Sequence, residues 1–232
     1  MKKIFHFVFF IGLFVSFSDV SAYKFDFTTV GDIVKEVKKT FAKVETYQAE
    51  FNIASEKLGK KMLQSGTIKY RAPDKLLIDF QQPFGQKIVS NGKMMWIYIP
   101  SMNVVAEQDL KSDSGFFTAN TKSGLKRLFS KYHYRFASKD QPEEKKANGE
   151  EIYTLILKQK ESRSGYRKLK LWVSKNSKDY FITKATGETS TGKTVDISFY
   201  NIRTNVDLPS GIFRFDIPAS ARVIKNPMIS EE

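Results

Sequence analysis

The sequence contains no cysteine, and this absence excludes disulfide bonds, thiol nucleophiles and thiolate metal sites. Histidine is almost as scarce, because the chain has just two, His6 and His133. Zinc sites of the usual kind need several Cys or His ligands, so we expect no metal centre. Without disulfides the fold depends on its own core. Hydrophobic residues at 41% and aromatic residues at 14% supply enough apolar surface for one.

Sequence signatures of catalysis are also missing. No phosphate-binding loop or dinucleotide fingerprint is present, and Gly85, Gly92 and Gly115 are isolated turn glycines. His133 stands among aromatic residues, where we expect a packed ring rather than a general base, and no nucleophile-elbow motif accompanies it. A catalytic carboxylate pair needs no sequence proximity, so glycosidase chemistry is the enzymatic alternative that stays open. We predict that the protein is not an enzyme and uses no cofactor.

The amino terminus is typical of a secretory signal peptide. Lys2 and Lys3 precede an apolar run from Ile4 to Phe17, and Val20–Ala22 offers small residues for cleavage. The alternative is a membrane anchor, but a spanning helix needs about 20 apolar residues and this run is shorter. We therefore predict a signal peptide over residues 1–22, a single domain over residues 23–232, and a soluble protein in the periplasm.

Positive charge dominates the chain, with 38 Lys and Arg against 25 Asp and Glu and a net charge of +13. Such a surface favours anionic partners: nucleic acid, lipid head groups or an acidic protein. Secretion makes nucleic acid the least suitable of these. The other interpretation is that the charge keeps an apolar-binding protein in solution. The sequence does not decide between the two.

Residues 30–45 predict an amphipathic helix. Thr29 and Asp32 have the spacing of a capping box, and Val34, Val37 and Phe41 recur on one helical face. We interpret this helix as packed on a sheet, with a membrane-surface helix as the alternative.

From Tyr47 onwards the hydrophobic period changes to two, which is typical of strands. Short strands separated by turns such as Asn91–Gly92 predict an antiparallel sheet. The segment Met94–Ile99 is apolar on both faces, so we expect something to cover the second face of the sheet. Residues 116–129 lose the alternation and predict a second amphipathic helix. Residues 213–217 predict a last strand, followed by a loose end after Lys225. About ten or eleven antiparallel strands suggest a barrel or a strongly curved sheet.

Residues 66–105 resemble the outer-membrane lipoprotein carrier proteins, the LolA family. Gly66–Pro73 (GTIKYRAP) is similar to the family's strand ending in Arg-Pro, and Asn91–Pro100 (NGKMMWIYIP) to its D-G-K-x-x-W-x-Y-x-P hairpin. The ending Phe213–Ala219 (FRFDIPA) is similar to the family's F-x-F-x-x-P close. There are two departures: Asn91 replaces the usual Asp, and Ala72 separates Arg71 from the proline.

The resemblance implies an α+β, mainly β fold: an incomplete, strongly curved antiparallel barrel with an α-helical lid. In the family the cavity between sheet and lid holds the acyl chains of a lipoprotein. We expect the following residues to line that cavity: Leu76, Ile78, Phe80, Met94, Trp96 and Tyr98. We expect the lid to present Val37, Phe41, Leu125, Leu128 and Phe129. Arg71 matches the family's latch arginine, which bonds to lid backbone, although Ala72 can shift the direction of its side chain.

The function implied is that of a monomeric periplasmic carrier. It would accept acylated lipoproteins from an inner-membrane lipoprotein-releasing ABC transporter and deliver them to the outer membrane, to a lipoprotein receptor if one is present. One alternative is a carrier of free phospholipid or glycolipid. Another is a regulatory half-barrel that senses lipoproteins.

Overall fold

The computed structural model describes residues 28–110, 122–161 and 165–226. The predicted signal peptide lies outside these residues, as does the first part of the predicted second helix. Helix α1 spans Val30–Ala42 and helix α2 spans Lys122–Lys131. The strands are β1 Thr46–Lys57, β2 Lys60–Arg71, β3 Lys75–Gln82, β4 Lys87–Asn91, β5 Met94–Ile99, β6 Val104–Asp109, β7 Tyr132–Phe136, β8 Glu144–Lys145, β9 Glu151–Gln159, β10 Tyr166–Asn176, β11 Asp179–Thr189, β12 Thr194–Thr204 and β13 Arg222–Lys225.

The start of α1 is set by its capping box, as the sequence predicts. The side chain of Thr29 accepts a hydrogen bond from Asp32 N, and Thr29 N donates to Asp32 Oδ2 over 2.9 Å. The Thr29 hydroxyl also donates to Asp32 Oδ2, and this bond, together with the one from Thr29 N, holds the pKa of the Asp32 carboxyl below its ordinary value. The helix ends at Ala42, before the predicted Glu45, because the chain turns there into β1.

All described strands belong to one sheet in the order β13-β6-β5-β4-β3-β2-β1-β12-β11-β10-β9-β7, with β8 paired to β9. Its edge strands β13 and β7 do not pair with each other, so the sheet is an open, curved half-barrel and not a closed barrel. This confirms the predicted fold class. Within the described residues the sheet has thirteen strands, more than the ten or eleven predicted.

The prediction for the carboxyl-terminal strand is wrong. Residues 213–217 form no strand: a 3-10 helix occupies Ser210–Phe213, and the last strand is β13. Moreover, β13 pairs with β6 in parallel, whereas the sequence predicts an antiparallel sheet throughout. The alternation of Phe213, Phe215 and Ile217 imitates a strand, but Phe213 and Phe215 pack on the sheet instead of joining it.

Candidate functional site

The concave face of the sheet carries the main apolar cluster. Residues directly opposite each other on paired strands share one face of a sheet. Leu76 pairs with Ser90 and Ile78 with Ile88, and these two β4 residues pair in turn with Met95 and Ile97 of β5. Leu76, Ile78, Ile88 and Met95 are buried in the same cluster. The side chains on this face of β3, β4 and β5 therefore define the concave face in that part of the sheet.

A glycine brings two aromatic rings together on this face. Gly66 lies between Phe51 of β1 and Phe80 of β3 in register, and the two rings meet edge to face with their centroids 5.3 Å apart. A Cβ on Gly66 would lie 2.9 Å from the Cα of Phe80 and would overlap the carbonyl oxygen of Asp79. Only glycine therefore permits the close approach of β2 and β3 at this point.

The helices cover part of the concave face. The apolar side of α1 is fully buried, and its members are Ile33, Val34, Val37 and Phe41. The ring of Phe41 lies 6.0 Å from that of Tyr47 and 5.8 Å from that of Phe181, so α1 contacts both β1 and β11. Burial also raises the pKa of Tyr47. We call α1 and α2 together the helical cover.

Helix α2 continues the helical cover over the strands at the β7 edge. Leu125 and Phe129 are buried, and Leu128 is half-buried. Phe129 meets Tyr134 of β7 edge to face at 5.8 Å, and the Nζ of Lys38 on α1 lies 5.6 Å from the centroid of its ring. The two helices therefore contact each other as well as the sheet.

The contacts between α1 and the sheet are mostly apolar. A backbone N–H of Tyr180 donates to Thr40 Oγ1 over 3.0 Å at the β11 end of the helix. The ion pair of α1 in the described residues, Lys39 with Glu36, lies within the helix and does not reach the sheet. Packing of this kind can be replaced by another apolar surface of similar area, because it is not directional.

Three of the predicted cavity residues lie on the opposite, convex face. Met94, Trp96 and Tyr98 alternate with Met95 and Ile97, which face the concave side. The indole of Trp96 donates to Glu107 Oε2 over 2.9 Å, also on the convex face. The prediction that these three residues line the cavity is therefore wrong, whereas Leu76, Ile78 and Phe80 do lie on the concave face.

The carboxyl-terminal segment covers the convex face. Its rings pack there, with Phe215 centred 6.2 Å from Trp96 and 6.0 Å from Tyr98. Leu208 and Phe213 are buried as well, and so is Val105 on the same face of β6. We call residues 205–221 the strap. The cover expected on the second face of the sheet is thus a piece of the chain itself.

Arg71 also lies on the convex side and holds the strap. Its neighbour Tyr70 is fully buried in the concave cluster, so the side chain of Arg71 points the other way. Its Nη2 donates a short hydrogen bond to the carbonyl oxygen of Leu208 and lies 3.9 Å from the carboxylate of Asp207. The predicted bond from Arg71 to the helical cover is therefore replaced by a bond to the strap. The position on the concave side belongs to Ala72, which packs against the main cluster.

A polar cluster joins β9 and β10 where β9 begins and β10 ends. Lys175 Nζ and Tyr153 Oη both donate to Glu151 Oε2 over 2.8 Å, and Ser174 Oγ donates to Glu150 Oε1 over 2.6 Å. The bonds from Lys175 and Ser174 hold the pKa values of Glu151 and Glu150 below their ordinary range. These bonds link the two strands, and Glu151 shares its face of β9 with Tyr153, a member of the concave cluster.

Metal-binding groups do not converge in the part of the chain that the structure describes. No group of three or more His, Asp or Glu side chains there has the arrangement of a metal site. His133, expected as a packed ring, is exposed on β7. Within the same residues no helix is both long and apolar enough to span a bilayer.

Several residues of the concave cluster were not predicted from the sequence. Phe51, Tyr70, Ile88 and Met95 are buried there beside the predicted residues. Strand alternation could have found Phe51, but the choice between Met94 and Met95 depends on the register of β4 and β5.

The architecture is that of a half-barrel with an apolar concave face under a helical cover.

The chain belongs to the LolA family. Residues 42–216, more than half of the chain, match the family described as outer membrane lipoprotein carrier protein LolA. An outer-membrane lipoprotein carrier protein of Dechloromonas aromatica is 29% identical over 181 residues, which cover 77% of this chain and 81% of the relative. The corresponding protein of Idiomarina loihiensis is 23% identical over 216 residues, covering 90% and 96%.

Solved structures agree with this fold. An uncharacterized conserved protein from Thermus thermophilus superposes with a TM-score of 0.54 at 13% identity, covering 84% of this chain and 98% of that one. The crystal structure of MucB superposes with a TM-score of 0.50 at 14% identity, and 64% of that chain is covered. The family is one of outer-membrane lipoprotein carriers.

Proposed function

We propose that this protein carries lipoproteins through the periplasm, with the acyl chains bound between the concave face and the helical cover. The single observation that supports this most is the concave cluster itself, which joins Leu76, Ile78 and Phe80 of β3 to the apolar side of the amphipathic helix α1. A helix that meets the sheet mainly through apolar side chains can give way to another apolar group.

The free energies of this exchange are of similar size. Burying the four apolar side chains of α1 contributes roughly 6–12 kcal/mol, at about 1.5–3 kcal/mol each. An acyl chain with about 15 CH₂ groups gains roughly 12 kcal/mol on leaving water, at about 0.8 kcal/mol per CH₂. A lipoprotein anchor with several acyl chains therefore compensates for displacing the helical cover, whereas a short apolar solute does not.

We infer the direction of transport from the family, whose members are outer-membrane lipoprotein carriers. The carrier accepts lipoproteins that an inner-membrane ABC transporter has released, and it delivers them to the outer membrane, where a bilayer or a receptor shelters the acyl chains. The cargo passes from one apolar environment to the next without covalent chemistry. The predicted signal peptide and the family's carriers support a periplasmic location, and we propose that the protein acts as a monomer.

A disulfide across the cover tests this proposal. Since the chain has no cysteine, Thr40→Cys with Tyr180→Cys introduces a single possible disulfide, between two positions that already share a 3.0 Å hydrogen bond. We expect the oxidised protein to lose binding of a synthetic triacylated lipopeptide and to regain it on reduction. The matched control is Lys158→Cys with Lys168→Cys, on directly paired and exposed positions of β9 and β10, which should bind in both redox states.

Two results would contradict the proposal. Undiminished lipopeptide binding by the oxidised Thr40–Tyr180 pair would show that the acyl chains do not enter beneath α1. The second measurement is mass spectrometry of the native protein, purified from its own periplasm without detergent. Acylated lipoprotein bound one to one supports the carrier, whereas free phospholipid or glycolipid alone would replace the proposed cargo.

A further inference from the structure

One end of the sheet collects three turns of the β1–β6 half. Strand β1 runs towards this end and β2 returns from it, because Glu56 pairs with Lys61 across the turn. Ser65 at the middle of β2 pairs with Gln82 at the end of β3, so the β3–β4 turn lies at the same end. Strands β5 and β6 alternate in the same way and place the β5–β6 turn beside it. We call this set of turns the turn end.

The turn end carries the most exposed apolar side chains of the described residues. They are Leu58 (92% exposed), Phe84 (90%), Leu63 (71%), Met102 (65%) and Met62 (50%). Single exposed apolar residues are ordinary on a protein surface, but five of them at one end of a sheet are not. The other exposed large apolar residues, between 37% and 39% exposed, lie on strands β12 and β13 and in the strap.

The geometry of the β1–β2 turn does not account for a leucine at position 58. It adopts φ of +51° and is followed by Gly59 at φ of +77°, a pair of left-handed residues between two strands. Asn or Asp suits the first of these positions, and Leu is poorly suited to it. Because Leu58 is almost fully exposed, no packing within the described chain compensates for this conformation. Leu58 is therefore an exposed apolar tip in a backbone conformation that its side chain does not favour.

Lysines surround the same apolar tips. The β1–β2 turn carries Lys57, Lys60 and Lys61, and Glu56 is the acidic neighbour. None of these lysines has an ion pair within the described residues. Residues 60–64 of β2 extend past the last residue of β3, whereas β1 stays paired with β12 as far as Glu56, so this basic, apolar hairpin is open on its β3 side.

We propose that the turn end docks on the surface of an anionic phospholipid bilayer. Lysines at the head-group level attract anionic lipid, and the tips of Leu58 and Phe84 enter the boundary between head groups and acyl chains. A folded protein partner fits these features less well, because specific interfaces bury about 800 Å² per partner on complementary surfaces. Separate tips on three turns offer no such continuous surface, whereas a fluid bilayer adjusts to each tip.

This docking deepens the proposed function, because it would bring the half-barrel directly to the membrane that supplies or receives the cargo. It rests on observations independent of the concave cluster. A test with vesicles that contain no lipoprotein therefore separates the two proposals: vesicle binding reports on the turn end, and lipopeptide binding reports on the concave face.

The experiment is cosedimentation of the full mature protein with vesicles of phosphatidylethanolamine and phosphatidylglycerol, and with vesicles of phosphatidylcholine alone. We expect binding to the anionic vesicles and little to the zwitterionic ones. The double variant Leu58→Asn with Phe84→Ser should lower the partition coefficient at least tenfold, since each buried apolar side chain contributes on the order of a tenfold factor. Asn suits the left-handed turn position, so this variant should fold like the wild type. The control is Tyr200→Ser, an exposed ring on β12 opposite Glu50 and away from these turns, which should bind as the wild type does.

Charge is tested separately. Changing Lys57, Lys60 and Lys61 to Gln should lower binding at low salt by on the order of 100-fold, and added salt should shrink the difference. The control changes Lys43, Lys75 and Lys178 to Gln, which removes the same charge at the opposite end of the sheet and should have a much smaller effect.

Absence of wild-type binding to anionic vesicles would overturn the proposal. Equal vesicle binding by the wild type and the Leu58/Phe84 variant would also overturn it. The Leu58/Phe84 variant and the Lys57/Lys60/Lys61 variant should both bind lipopeptide as the wild type does.

Discussion

Weakening the helical cover should make the protein less stable and a better binder at the same time. The substitution is Val37→Ala, at a position on α1 that is 0% exposed. It removes apolar surface worth about 1.6 kcal/mol at about 0.8 kcal/mol per methylene, and a residual cavity adds to this loss. The higher helix propensity of Ala returns about 0.5 kcal/mol. We therefore expect the free energy of unfolding to fall by about 1–2 kcal/mol.

The same loss should favour ligand binding. Packing of Val37 on the sheet stabilises only the form in which α1 covers the concave face. If ligand binds the form with α1 displaced, the substitution raises the population of that form, and the apparent affinity should increase by a factor of about 5–30. Urea unfolding measures the stability, and titration with a fluorescent acylated lipopeptide measures the affinity.

The matched control is Val105→Ala. Val105 is also 0% exposed, but it lies on the convex face beneath the strap. Its substitution should lower the stability by a similar amount and leave the affinity unchanged. The reasoning is refuted if Val37→Ala weakens lipopeptide binding, or if its stability falls while its affinity stays equal to that of Val105→Ala.

Three further results are expected. Gly66→Ala should lower the midpoint of urea unfolding sharply, because its Cβ would overlap the backbone of β3, whereas Gly211→Ala, which meets no atom within 4 Å, should not. The pKa of Glu151 is lowered by its bond to Lys175, so the stability that this bond contributes is present above pH 4.5, the ordinary value, and is lost as the pH falls below it. The thermal midpoint should therefore drop in acid less steeply for Glu151→Gln than for the wild type. Arg71→Leu should speed proteolysis within the strap and leave lipopeptide affinity intact. A change in affinity without a change in proteolysis would instead support the predicted role of Arg71 in holding the helical cover.

Local patterns in the sequence were sufficient for α1 and for most strands. The capping box at Thr29 and the apolar spacing of Val37 and Phe41 depend on neighbours within a few residues, and the structure has them as predicted. Alternation likewise placed Leu76, Ile78 and Phe80 on one face, because each intervening residue of β3 is more polar or more exposed. Where the pattern was unambiguous, the chain needed no tertiary information to reveal it.

The errors concentrate where both faces of a strand are apolar. In Met94–Ile99 either parity could face inwards, so alternation alone could not separate Trp96 from Ile97. Strand pairing determines which of these side chains face the concave side, because Ile78 pairs with Ile88 and Ile88 pairs with Ile97. The apolar convex face has its reason in the strap, which comes from a segment more than 100 residues later in the chain. A sequence pattern read over a short window holds no information about such a partner.

The position of Arg71 shows how one residue of register can reassign a function. In β2 the side chains alternate between faces, and Tyr70 and Ala72 occupy the concave parity. An arginine next to the proline would stand at position 72 and point beneath the helical cover; with Ala72 inserted, the arginine points to the strap instead. The convex side is therefore fixed by a charged hydrogen bond, while α1 is held mainly by apolar contacts and the bond to Thr40 Oγ1. An apolar ligand competes with the second kind of contact and not with the first. We therefore expect the sheet and strap to stay intact when an apolar ligand displaces α1, as the proposed carrier function requires.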